Sequence, residues 1–243
     1  MYIIKLDAID STNAYLKAMD SVNLPKDFTV VIAEHQSNGR GQMGANWQTE
    51  KGKNLTVSVF KNLKGFKIEN QFYISMAVSL AILKTLKSFN MPRLYIKWPN
   101  DILSADKKLC GILIENVIKN NQLQGSVIGF GLNVNQNQFY NLPKASSMQI
   151  ITGIVYNKEE VLSKVLNTLK YYFKLLASYE YDTIKTEYES YLFRKNKPST
   201  FITKNGMQFS GIIKGVANNG KLKIWTENDV VNTYDLKELS LLY

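Results

Sequence analysis

The segment Gly39-Arg40-Gly41-Gln42-Met43-Gly44 spells G-x-G-x-x-G, and its neighbours decide what that spelling can mean. In a dinucleotide-binding fold such a run follows a strand and opens a helix, because the pyrophosphate rests on the helix N-terminus. A strand does precede it: Phe28-Thr29-Val30-Val31-Ile32-Ala33-Glu34 is β-branched and mostly apolar. No helical pattern follows. Trp47-Gln48-Thr49-Glu50-Lys51-Gly52-Lys53 is polar, and Leu55-Thr56-Val57-Ser58-Val59-Phe60 then alternates as a second strand. Strand, long loop, strand is not a doubly wound start, and the loop exceeds the roughly 2–5 residues of an ordinary hairpin connection. It reads as a flap that closes over an anionic ligand. Glycines let backbone N–H groups point inward, and Arg40 adds a fixed positive fork.

The remaining pattern predicts an α+β chain rather than regular βαβ alternation. Residues 2–6 read as a strand, and Asp10-Ser11-Thr12-Asn13 as a helix start capped by Asp10 or Ser11. Phe72, Met76, Ala77, Leu80, Leu83 and Leu86 mark a helix from Glu69 to Asn90. Strands near 94–97, 108–118 and 123–133 suggest an antiparallel meander. A helical stretch from Asn157 to Phe193 follows. Beyond Pro198, short strands broken by Asn205-Gly206, Asn218-Asn219-Gly220 and Asn228-Asp229 predict hairpins closing into a small β-barrel. The expected units are residues 1–194 and 195–243.

Composition removes several function classes. The single Cys110 allows no internal disulfide and no multi-cysteine zinc site, and the single His35 no histidine cluster. His35 is expected to be structural. No apolar run nears the roughly 20 residues of a membrane helix, and the N-terminus has no secretory core, so a cytoplasmic protein is expected. The net charge of +10 favours anionic partners, but the lysines are dispersed and no nucleic-acid-binding motif accompanies them.

Three further segments carry chemistry. Lys97-Trp98-Pro99-Asn100-Asp101 sets a cation, an amide and a carboxylate around a rigid turn at a strand's edge. Lys107-Lys108-Leu109-Cys110-Gly111-Ile112 opens a strand whose strict alternation puts Lys108 with Cys110 and Ile112, and Gly111 on the other face. Gly129-Phe130-Gly131-Leu132-Asn133 places glycines at alternate positions, as where a flat ligand or another backbone comes close. Each also has a bland reading as a turn, a surface charge or a packing glycine.

Together and in this order, these segments resemble the bacterial biotin protein ligases over essentially the whole chain. Asp10-Ser11-Thr12-Asn13 matches the biotin-recognition start, and Gly39-Arg40-Gly41 with Trp47 the adenylate loop. The Lys-Trp-Pro-Asn-Asp run with Lys108 to Ile112, and Gly129 to Val134, complete the match. The resemblance implies a mixed, largely antiparallel sheet with helices packed on it, of class II synthetase type, and an SH3-like C-terminal barrel. It implies ATP and Mg²⁺ as cofactors, biotin as substrate, and a biotin carboxyl carrier protein as partner. Mg²⁺ would come with ATP, without a protein metal cluster.

By the same resemblance Arg40, Lys108 and Asp101 are the catalytic candidates. Ser11, Thr12, Asn13, Gln36, Gly39, Arg40, Gly41, Lys108 and Gly111 are candidates for biotin. Arg40, Gln42, Trp47, Asn100, Lys108 and Asn133 are candidates for ATP or the adenylate. Relatives carry further cations where Gln42, Ala45 and Asn46 stand. The repressor-type relatives begin with a helix-turn-helix domain that this sequence does not show, so DNA is not an expected partner. A homodimer is possible within the family. The alternatives are a lipoate- or octanoate-type acyl-protein ligase and a non-catalytic biotin- or nucleic-acid-binding module.

Overall fold

A computed structural model describes residues 1–19 and 24–243. Its main sheet has seven strands in the order β1-β2-β3-β7-β6-β5-β4. They are β1 (Tyr2–Ile9), β2 (Thr29–Gln36), β3 (Leu55–Asn62), β4 (Leu94–Lys97), β5 (Asp101–Ser104), β6 (Lys107–Lys119) and β7 (Gln122–Leu132). Only β1 and β2 run parallel; every other neighbouring pair is antiparallel. The expected mixed, largely antiparallel sheet is therefore present. The four-residue strand β5 lies between two turn signals that masked it in the sequence.

Alternation along the strands separates two faces. On one, Val30, Ile32, Val57, Val59 and Ile128 join the main core beneath α2 (Gln71–Ser88) and α4 (Lys158–Ala177). On the other, Val31, Phe60 and Val127 pack against Leu16 of α1 (Thr12–Met19). Helix α2 buries residues around most of its circumference, beyond the single stripe expected, because β4, β5, α4 and α5 (Tyr181–Ser190) all contact it. The single helical stretch expected over 157–193 is divided. Helix α4 ends at Ala177 and α5 begins at Tyr181, with Tyr179 at φ +59° between them. A short helix, α3 (Met148–Thr152), gave no sequence signal.

The C-terminal strands β8 (Pro198–Thr203), β9 (Gln208–Val216), β10 (Leu222–Thr226), β11 (Val231–Tyr234) and β12 (Leu239–Leu242) form a second antiparallel sheet in the order β11-β10-β9-β8-β12. Here the structure departs from the expected barrel. Strand β12 pairs with β8 rather than β11, so β11 and β12 are opposite edges of an open sheet. Its inner residues Phe201, Ile213, Val216, Leu222 and Ile224 belong to the same apolar cluster as α2 and β6. Polar ties cross the seam: Trp98 Nε1 donates to Gly220 O at 2.9 Å, and Val216 N to Glu189 Oε1 at 2.9 Å. No helix among the described residues is long and apolar enough to cross a membrane.

Gly220 is required at that seam. Its φ is +91°, and a Cβ there would stand 2.4 Å from Phe72 Cδ2. Gly220→Ala is expected to cost about 1–3 kcal/mol through overpacking, seen as a thermal midpoint lowered by several degrees. An unchanged midpoint would show that Phe72 yields without cost.

Candidate functional site

The site lies on the α1 face of the main sheet, and strand register builds its floor. Gly131 sits opposite both Thr56 and Gly111, while Gly129 sits opposite Ser58. These glycines make a flat patch that two side chains cover. A Cβ on Gly131 would fall 2.1 Å from Trp47 Cε2, and one on Gly129 2.3 Å from Asn13 Oδ1. Trp47 is brought there by the glycine loop, which closes as a hairpin: Trp47 N donates to Gly39 O at 2.9 Å and Gly41 N to Ala45 O at 2.6 Å. The turn is tight at Gly39, where a Cβ would meet Trp47 O at 2.4 Å.

A cleft opens beside this floor. Arg40 and Lys108, far apart in sequence, both line it, as do Ser11, Thr12, Gln36, Gly41, Gln42, Asn100 and Gly111. At one end the groups are neutral and polar. Ser11 Oγ caps α1, accepting from Ala14 N at 3.4 Å. Gln36 Oε1 accepts from Thr12 N at 2.8 Å and Thr12 Oγ1 at 3.0 Å. Asn13 also lines the wall, yet its amide is engaged within the protein. Nδ2 donates to Glu115 Oε2 at 2.8 Å, and Oδ1 lies 2.5 Å from the Ser58 hydroxyl. Burial alone would raise the Glu115 carboxyl, but hydrogen bonds from Lys17 and Asn13, with the charges of Lys17 and Arg40, hold it below the usual range.

Lys108 reaches the cleft through an irregularity. Pairing between β5 and β6 slips: Ile102 faces Cys110, but Leu103 faces Lys108. The bulge leaves Leu109 and Cys110 both fully buried. It also places the Lys108 ammonium beside Gly111, 3.2 Å from where a Cβ would be. Strict alternation had put Lys108 and Gly111 on opposite faces, and the bulge overturns that. Lys108 Nζ is 2.7 Å from Asp101 Oδ1 and 5.6 Å from the Trp47 ring centroid. Cys110, by contrast, is no nucleophile. Burial pushes its thiol well up, against a smaller downward pull from Lys108.

Asn100 is tied to β6, donating from Nδ2 to Ile112 O at 2.5 Å and accepting from Ile112 N at its backbone oxygen at 3.1 Å. Asn133 does not line this cleft. It lines a second cavity that shares Trp47 and Lys108 with the first. There Asn133 is 3% exposed, and its Nδ2 donates to Ser146 O at 3.0 Å. Its Oδ1 has no hydrogen-bond partner, and neither does the buried Trp47 Nε1. An unpaired acceptor and an unpaired donor are costly in a protein interior unless a ligand satisfies them. His35 lines neither cavity. Lys144, Phe139 and Tyr243, which line the second, were not picked out from the sequence, and Lys97, which also lines it, was noted only as the cation of its motif.

Residues 6–133 match the model of the Biotin/lipoate A/B protein ligase family. The chain belongs to that family. It is 26% identical over 238 residues to the bifunctional ligase/repressor BirA of Bacillus spizizenii, covering 96% of this chain and 72% of that one. It is 28% identical over 224 residues to the biotin–[acetyl-CoA-carboxylase] ligase of Paracoccus denitrificans, covering 88% and 90%. Among solved structures, the biotin protein ligase from Aquifex aeolicus in complex with biotin and ATP matches with a TM-score of 0.83 at 26% identity, covering 99% of this chain and 98% of that one. Members of the ligase family thus resemble this chain along nearly its whole length.

Proposed function

We infer that the chain is a biotin protein ligase, which joins biotin to AMP and then passes the biotinyl group to a lysine of a biotin carboxyl carrier protein. The observation that carries this reading is the convergence of Arg40 and Lys108 on one cleft that is also lined by the neutral polar groups of Ser11, Thr12 and Gln36. Biotin has that polarity: a ureido ring that exchanges hydrogen bonds at one end and a carboxylate at the other. Ser11, Thr12 and Gln36 would receive the ring, with Asn13 bracing Thr12 and Gly39, Gly41 and Gly111 keeping the channel open. Trp47 would lie over the tail.

In the first step the biotin carboxylate attacks the α-phosphorus of ATP, and pyrophosphate leaves. Two anions must meet, so Arg40 and Lys108 offset their repulsion in a partly water-excluded site. Lys108 is held in place by Asp101 until substrate oxygens compete for its ammonium. Mg²⁺ would arrive on the ATP phosphates, with Asp101 the carboxylate nearest them. In the second step the carrier amine attacks the anhydride carbonyl and AMP leaves. Hairpin closure by residues 39–47 shields the anhydride from water meanwhile.

The base would enter the second cavity. Asn133 Oδ1 accepts, so it suits the 6-amino group of adenine and repels the 6-oxo group of guanine. ATP is expected to outperform GTP by about 10²-fold or more in pyrophosphate release. Equal use of the two would remove Asn133 from base recognition. We also propose residues 1–194 as the catalytic unit, and residues 195–243 as an opened SH3-like unit that contributes Tyr243 to the second cavity.

The direct test is to mix the protein with ATP, Mg²⁺, biotin and a carrier domain. One biotinyl group on one carrier lysine, with AMP released, is the expected product. Carrier labelling by lipoate or octanoate instead of biotin would establish the other branch of the family. The polar lining by Ser11, Thr12 and Gln36 disfavours that branch, since a fatty acyl chain offers it no hydrogen bond whereas a ureido ring does.

A further inference from the structure

The second cavity holds more positive charge than the proposed first step uses. Lys97, Lys108 and Lys144 line it, and Asp101 is the one carboxylate side chain among its lining residues. Asp101 is shared, 2.7 Å from Lys108 and 3.9 Å from Lys97, while Lys144 makes no ion pair among the described residues. Lys97 is largely buried. Desolvation pulls its ammonium below the usual lysine range, Asp101 opposes that, and Lys108 and Lys144 add to it.

An aromatic ring lies against two of these charges. Tyr243, following β12, places its ring centroid 3.6 Å from Lys144 Nζ and 5.1 Å from Lys97 Nζ. The ring is itself fixed edge-on against Phe193 at 5.1 Å. The backbone around Lys144 is anchored to the catalytic strand: Lys108 N donates to Lys144 O at 2.7 Å, and Ser146 N to Lys108 O at 3.0 Å. Lys144 thus holds a fixed position relative to Lys108, with its ammonium resting on the π face of Tyr243.

We propose that Tyr243 is a positioning residue for the nucleotide. Its ring holds the Lys97 and Lys144 ammonium groups inside the second cavity, where they receive the phosphate chain of ATP. This rests on the reading of that cavity as a nucleotide site. The attraction is electrostatic, between a cation and the ring quadrupole, so it needs an aromatic face and not a hydroxyl. A leucine fills comparable space without a π face.

The experiment titrates ATP, adenosine and biotin separately into the full chain and its Tyr243→Leu, Tyr243→Phe and Lys144→Met variants. Tyr243→Leu and Lys144→Met are each expected to weaken ATP binding about fivefold, a ratio in keeping with exposed to partly desolvated cation–π contacts. Adenosine and biotin should bind as to the parent chain, and Tyr243→Phe should retain ATP affinity. Lys144 is exposed, so its variant keeps the test alive should Tyr243→Leu fail to fold. The proposal is overturned if both variants bind ATP as the parent does, if Tyr243→Phe is as weak as Tyr243→Leu, or if adenosine loses the same factor as ATP. Failure of the ligase reading looks different: the parent chain would bind ATP yet release no biotin-dependent pyrophosphate, with the variant pattern intact.

Discussion

Arg40→Ala and Lys108→Ala should each lower biotin-dependent pyrophosphate release by about 10²–10³, the usual loss when one preorganised charge-stabilising donor is removed. Thermal midpoints should barely move. Arg40 is exposed, and the Lys108–Asp101 pair is partly open to solvent, with side chains 33% and 16% exposed, so screening leaves it a small share of folding stability. Asp101 also keeps Lys97 at 3.9 Å once Lys108 is gone. The two cations line one cleft and are expected to act on one reacting pair, so the double variant should lose less than the product of the single losses. Parent-like pyrophosphate release from either single variant would remove that residue from the chemistry.

Gly131→Ala is the second large effect, and it acts without touching a charge. The new methyl would require the space of the Trp47 indole, with three ring atoms between 2.1 and 2.4 Å of it. The indole must lift, and the hairpin of residues 39–47 lifts with it, because Trp47 N is bonded to Gly39 O. Arg40 rides on that hairpin. A displacement of about 1 Å at a reacting centre can cost 10²-fold, and a loss of that order in adenylate formation is expected. Tryptophan fluorescence should report the indole moving into a more polar setting. Unaltered fluorescence and activity together would show that the glycine floor is not what seats Trp47.

The sequence and the structure agree where a local rule governs and part where a long-range one does. Alternation in residues 55–60 and the amphipathic stripe at 72–86 located β3 and α2, since side-chain period is a property of the segment itself. The glycines at 129 and 131 likewise pointed to a surface needing close approach, and Trp47 and Asn13 are what approach it. The bulge beside Leu109 was not legible, because it arises from how β5 pairs with β6 and not from the composition of either strand. Residue 58 is a plain serine in an alternating strand, and only the fold brings it against Thr12 and Asn13. Lys144 and Tyr243 were illegible for the same reason. Nearly a hundred residues separate them, and neither belongs to a motif. Closure of the barrel expected at the C-terminus is not found: residues 239–242 pair with β8, and β11 and β12 stay opposite edges of one sheet.

Trp47 and Lys108 stand in both hollows at once, as a party wall between two rooms. Whatever occupies one room presses on, or braces, the boundary of the other. Thermodynamic reciprocity then demands that the vitamin alter the affinity for nucleotide by the same factor that nucleotide alters the affinity for vitamin. Any coupling between the two is thereby carried by an indole and an ammonium group, without any hinge between distant lobes.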